Sequence, residues 1–186
     1  MLEFRHCDTE RLYTHWQSLG EGGLPSHRCW DPAQIPKLTP NMLILELNSD
    51  DDFVYRFAGT QICDFVGVEL TGRRMKEFFP SPDVYAATDS MQRAMLRVPC
   101  GQLSSYKVRG AAGRECDAEL LFLPLAGKNG TADRLLVYMA LADTTGFGEA
   151  APEVSANLEA TWIDLGWGVP EADTAFAEPQ NSNIQA

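Results

Sequence analysis

The sequence predicts an α+β fold in which a five-stranded antiparallel sheet carries several short helices and one longer helix on one face, led by an N-terminal helix. Three observations predict it. Two strand-like segments flank the polar run NSDDD, helix-type periodicity fills the middle of the chain, and three more strand-like segments follow with glycine-rich turns between them. Sequential strands joined by tight turns pair antiparallel, so the helical middle becomes the crossover between the first two strands and the last three.

Residues 8–19 read as a helix. Asp8 or Thr9 suits the cap position, Leu12, Trp16 and Leu19 recur at helical spacing, and Gly20 stops the run. The glycine- and proline-rich stretch to residue 40 is an extended connection that Leu24, Trp30, Ile35 and Leu38 pin to the body. NMLILEL (41–47) and FVYRFAG (53–59) form a hairpin around NSDDD. TQICDFVG and TGRRMKEFF supply short helical turns, with Thr60 as the cap of the first. The longest helix is SPDVYAATDSMQRAMLRV (81–98), capped by Ser81, with Pro82 at the first position, where its missing N–H is harmless. QLSSYKVRG, RECDAELLFLPLAG and DRLLVYMALAD then form an antiparallel meander. The division is residues 1–40 for the helix and connection, 41–143 for the core, and 144–186 for an acidic, largely disordered tail with a short helix near 153–164.

A chain of 186 residues suffices for one domain with a substantial core. Its net charge of −11 argues against nucleic acid or an anionic membrane as partner, since both repel an acidic protein. Seven acidic residues and no Lys or Arg follow Asp143, so the tail holds −7 of the −11. No apolar run is long enough to span a bilayer and the start lacks a signal-peptide pattern, so a cytoplasmic location is expected. Five widely spaced cysteines without a CxxC pair point to free thiols in a reducing compartment.

With the order of elements in hand, FVYRFAGTQICDFVGVELTGRRMKEF, the leading-helix tryptophan and the LPSHRCWDPAQIPKLTPNMLILEL run resemble the single-domain PAS modules of bacteria, over residues 10–142. The resemblance implies a sensory and regulatory module in bacterial signal transduction that acts through protein–protein interaction rather than turnover. It also implies dimerisation through an N-terminal helix, here Leu12, Trp16 and Leu19, and often a small-molecule cavity. Light-sensing relatives carry a flavin-adduct cysteine in an NCRFLQ pattern after the glycine–basic turn. Here LTGRR is followed by MKEFF without cysteine, and Cys63 falls one turn too early. The long helix lacks the histidine a haem would need, so neither flavin nor haem is expected, and no other cofactor is assigned.

The inward apolar set expected to wall a cavity is Phe57, Ile62, Phe65, Phe78, Phe79, Met91, Met95, Leu121, Leu123, Val137 and Met139, which a closed core would use equally well. No catalytic residue is assigned: there is no nucleophile with a base and no phosphate-binding glycine loop. His6, His15, His27 and the cysteines lack metal-site spacing, so no metal is expected. Cys63 on a short amphipathic helix is ordinarily a core filler, and a thiol redox sensor is the alternative. Arg73 and Arg74 suit an anionic ligand, but such pairs more often tie a turn to nearby acids. Trp162 and Trp167 are costly to leave in water, so they fold onto the body or dock a protein partner. The tail of ~40 residues is too short for an output domain. A small cone-shaped α+β enzyme or ligand carrier is the other alternative; it would place a His–Asp pair or a buried carboxylate in the cavity, and the sequence offers no candidate pair.

Overall fold

A computed structural model describes residues 2–20, 22–79, 81–111, 115–141 and 153–171. Three α-helices, α1 (Cys7–Leu19), α2 (Thr60–Val66) and α3 (Pro82–Arg97), accompany six strands: β1 (Met42–Leu47), β2 (Phe53–Ala58), β3 (Gly101–Arg109), β4 (Glu115–Ala126), β5 (Ala132–Leu141) and β6 (Glu153–Ile163). The strands form one antiparallel sheet in the order β2-β1-β5-β4-β3-β6. The helical middle of the chain is the crossover, as expected.

Local chemistry accounts for several element ends, but not for the starts of α1 and α2: their cap positions are His6 and Gly59, neither makes a side-chain cap bond, and the expected caps Asp8, Thr9 and Thr60 lie inside the helices instead. Ser81 Oγ accepts from the Val84 N–H at 3.3 Å and Pro82 occupies the first turn of α3. Asn48 Oδ1 accepts from the N–H groups of Asp50 and Asp52, closing the β1–β2 turn. α2 ends at Gly67, whose φ of 84° is the left-handed cap, and its N–H returns to the Cys63 carbonyl. Gly59 marks a close approach: a Cβ there would lie 2.3 Å from the carbonyl oxygens of Thr39 and Pro40.

Both faces of the sheet are covered. The inner face, under α2 and α3, gathers Leu43, Leu45, Phe53, Tyr55, Ile62, Met75, Met91, Met95, Phe122, Leu135 and Val137. The outer face, under α1 and the connection after it, gathers Met42, Leu121, Leu123, Leu125, Leu136 and Tyr138 with Leu12, Trp16, Trp30 and Leu38. Leu12 is fully buried there, which stabilises the fold by roughly 1.5–3 kcal/mol. Trp16 is buried beside it and donates its indole N–H to the Pro124 carbonyl at 2.9 Å. His15 meets Trp30 edge-on and is half-buried. The Arg5 N–H before α1 donates to the buried Glu119 carboxylate at 2.7 Å.

Two expectations are corrected. The sheet has six strands, and residues 153–163 are β6 rather than a helix or disordered chain. The tail segment carries its own strand because β3 offers it a free edge, and edge pairing is a non-local gain that composition does not display. The remaining tail, residues 144–152 and 172–186, lies outside the described residues. The expected dimer stripe is also corrected: Leu12 and Trp16 are spent on the outer face of their own sheet, and Leu19 packs against the same cluster.

Candidate functional site

The candidate site is the interior between the inner face of the sheet and the wall of α2, the 3-10 turn Met75–Phe78 and α3. Among the expected residues, Ile62, Met91, Met95 and Val137 are buried there, with Phe78, Phe79 and Met139 packed against them. Phe65 is buried on the same side with Val108, Cys116 and Ala118, at the far end of β3 and β4. The Phe78 ring meets Tyr55 edge-on and Phe79 meets Tyr85 in the same way.

Three expected wall residues belong to the outer face instead. Phe57 is turned away by an irregularity in β1–β2: Ile44 pairs with Phe57 but Leu45 with Tyr55, leaving Arg56 as the extra residue. One extra residue reverses the alternation beyond it, so Phe57 joins Ile44 under the outer layer. Leu121 and Leu123 alternate with Leu120 and Phe122, and the latter pair faces inward. Both sets are leucine-rich because both faces are buried, so alternation alone does not name the side.

The sequence reading missed the polar content of this interior. Gln102 on β3 is paired in register with Phe122 of β4 and therefore shares the inner face. It is 0 % exposed, and neither atom of its amide has a hydrogen-bond partner among the described residues. Gln92 of α3, between Met91 and Met95, is 2 % exposed and its carbonyl oxygen is likewise unmatched. A buried polar atom without a partner costs about 1–3 kcal/mol. The sequence carries no signal for either: QLSSYKVR mixes polar and apolar residues throughout, and Gln92 stands beside Arg93 and near Ser90.

Cys100, fully buried, precedes β3, and burial together with Asp164 pushes its thiol up to about 12. Burial also pushes the Cys63 thiol up, and the Glu69 and Asp64 carboxylates add to the shift. Cys63 Sγ lies 3.6 Å from Glu69 Oε1. Both environments favour the neutral thiol over the thiolate. Burial raises Tyr55 and Tyr106 as well, with the Ser104 hydroxyl opposing the rise at Tyr106.

An ion-pair cluster closes the interior at the β1–β2 turn. Asp52 takes Lys76 at 2.8 Å and Arg74 at 3.0 Å, tying the 3-10 turn to the hairpin. Arg93 of α3 lies over the Phe53 ring and takes Asp89 at 2.7 Å and Asp51 at 2.5 Å. The hydrogen bond from Lys76 holds the Asp52 carboxyl below its ordinary range. Arg73 pairs with Glu77 at 3.0 Å and lies over Phe78. Arg73 and Arg74 thus tie a turn, with Asp52 as a partner that sequence proximity did not suggest.

The two tail tryptophans are separated. Trp162, paired in register with Gln102, packs against the inner cluster, whereas Trp167 is 40 % exposed. Among the described residues no group of three or more His, Cys, Asp or Glu is placed to hold a metal, and no helix is long and apolar enough to cross a membrane.

No curated protein matches the sequence. Among solved structures, the chain is similar to a light-oxygen-voltage domain studied with a flavin analogue, at 15% identity over 60% of this chain and 83% of that one, with a TM-score of 0.45. It is similar to an RsLOV variant at 16% identity, covering 63% and 72%, TM-score 0.43. It is also similar to the light-state LOV domain of the blue-light photoreceptor Aureochrome1, at 14% identity, covering 59% and 87%, TM-score 0.40. A family model described as PAS domain matches residues 4–140, most of the chain, a span that holds the helices and strands from α1 through β5 apart from the last residue of β5 and ends before β6. The chain belongs to the PAS domain family.

Proposed function

We propose that this chain is a sensory and regulatory module of bacterial signal transduction that works by binding another protein, and that its state is set by a small polar molecule meeting Gln102 in the interior. The carrying observation is the Gln102 amide, fully buried on the inner face without a hydrogen-bond partner among the described residues. An amide offers two donors and an acceptor with two lone pairs, so a group bearing both a donor and an acceptor satisfies it. Met75, Met91 and Met95 are packed in the same interior. Their unbranched side chains move aside at low cost, which suits a space that opens when a ligand enters. The ion pairs of Asp51, Asp52 and Arg93 are the contacts that such an opening has to strain.

The reading is regulatory and involves no turnover. The module self-associates through a surface other than Leu12 and Trp16, which are buried in their own chain. Native mass spectrometry with an absorbance spectrum of the protein as purified tests the proposal. The expected result is retained mass that disappears in Gln102→Leu. A chain that carries no added mass, and whose interior amides do not change their exchange with any small polar additive, sinks the ligand half of the reading. A visible absorbance band identifies a flavin or haem directly.

A further inference from the structure

The sheet has two edges, β2 and β6, and they are treated differently. The β2 edge is covered: the Tyr55 N–H donates to the Arg73 carbonyl at 3.0 Å, the Gly72 N–H donates to the Tyr55 carbonyl at 2.7 Å, and Val54 bridges to Arg74. β6 pairs with β3 on one side, and among the described residues nothing pairs with its other side. Open edges are normally blunted by lysine, proline, bulges or a cover, because their unpaired N–H and C=O groups recruit another strand. Residues 153–163 contain neither lysine nor proline. The register slips lie between Ser105 and Tyr106 and between Lys107 and Val108, so the end running from Glu159 to Ile163 is regular.

That regular end leads into a built turn. Asp164 Oδ1 accepts from the Gly166 N–H at 2.8 Å and the Gly168 N–H at 3.0 Å, and both glycines have left-handed φ, 107° and 85°. Leu165 packs into the outer cluster and Pro170 is buried, while Trp167 and Val169 stay exposed. A tryptophan already ordered on a tied turn makes an inexpensive binding anchor. The segment is also acidic, with Glu159, Asp164 and Glu171 and no Lys or Arg after Arg134. A second copy would bring the same charge, whereas a basic segment is attracted.

We propose that the open edge of β6, with Trp167 at its end, docks an extended lysine- or arginine-bearing segment of a partner protein as a seventh strand. The proposal rests on the reading that the module acts by binding another protein, and it names the surface and the partner's chemistry.

The test is fluorescence anisotropy of the full chain with a labelled peptide of about eleven alternating lysine and valine residues, matching the length of β6. The same peptide with glutamate for lysine is the charge control, and two further versions carry N-methyl groups on one or the other alternate set of residues. The lysine peptide is expected to bind, and to weaken about tenfold between roughly 50 and 300 mM salt. One N-methylated version should lose binding and the other keep it, because only one set of amides faces the edge. Trp167→Ala should weaken binding about tenfold with an unchanged thermal midpoint. Equal binding of the glutamate peptide, equal binding of both N-methylated peptides, or no binding by any of them overturns the proposal. So does a dimer by light scattering with hydrogen-exchange protection confined to residues 159–163, which would make a second copy the occupant. Native mass spectra of the same wild-type chain, which read retained interior mass independently of the peptide, tell failure of the interior reading and failure of the edge apart.

Discussion

Gln102 of β3 and Trp162 of β6 stand opposite each other across the edge of the sheet, both on the inner face. The buried amide is thus joined to the last strand by a single cross-strand pair.

The first prediction concerns that amide. Gln102→Leu replaces an unmatched polar group by an apolar one of similar size, so the ligand-free chain should gain about 1–2 kcal/mol. The check is a urea unfolding curve for both chains, with native mass spectra alongside. A variant less stable than the wild type would mean that the amide is satisfied in solution.

The second concerns α1. Because Leu12 and Trp16 close the outer face of their own sheet, Leu12→Ala should cost about 2–5 kcal/mol and Trp16→Ala about 3–5 kcal/mol. Chemical denaturation over a range of protein concentrations measures this. Losses that appear only where a dimer forms would return these residues to an intermolecular role.

A third prediction is a pH dependence at Glu46. Burial works to raise its carboxyl, but hydrogen bonds from Arg56, at 2.7 Å, and from Arg134 outweigh it and hold the pKa below the ordinary value. A depressed carboxyl contributes stability that is present in full above its unfolded value and is lost as pH falls through the folded value. Wild type and Glu46→Gln should therefore differ in thermal midpoint at neutral pH and converge in acid, below the ordinary carboxylate range. Parallel curves down to the lowest pH would show that the two arginines do not act through this charge.

The fourth concerns Cys63. With its thiol pushed up by burial and by Glu69, it should react with iodoacetamide at neutral pH more slowly than the exposed Cys7 and Cys29. Peptide mapping after a short exposure gives the order. If Cys63 were modified first, the thiol-sensor alternative would be favoured.

Much of this architecture was legible in the chain. The Ser81–Pro82 start of α3, the polar turn between β1 and β2 and the left-handed Gly67 are local features whose cause lies within a few residues. The inner wall was partly legible: Ile62, Met91, Met95 and Val137 were placed correctly by periodicity, whereas Phe57, Leu121 and Leu123 were assigned to the wrong face. The extra residue at Arg56 and the leucines on both sides of β4 explain those three errors. Gln102 was not legible at all, since its meaning depends on what fails to face it.

The sequence by itself determined the kind and order of the elements from α1 to β5 and the family they belong to, because turns, caps and hydrophobic periods are set by neighbours along the chain. Tertiary structure alone decided which leucines face which layer, that α1 is spent on its own sheet, that residues 153–163 become a strand, and that a glutamine is left buried without a partner among the described residues. Those outcomes depend on contacts between residues far apart in the chain, where the gain comes from a surface that the local sequence does not contain.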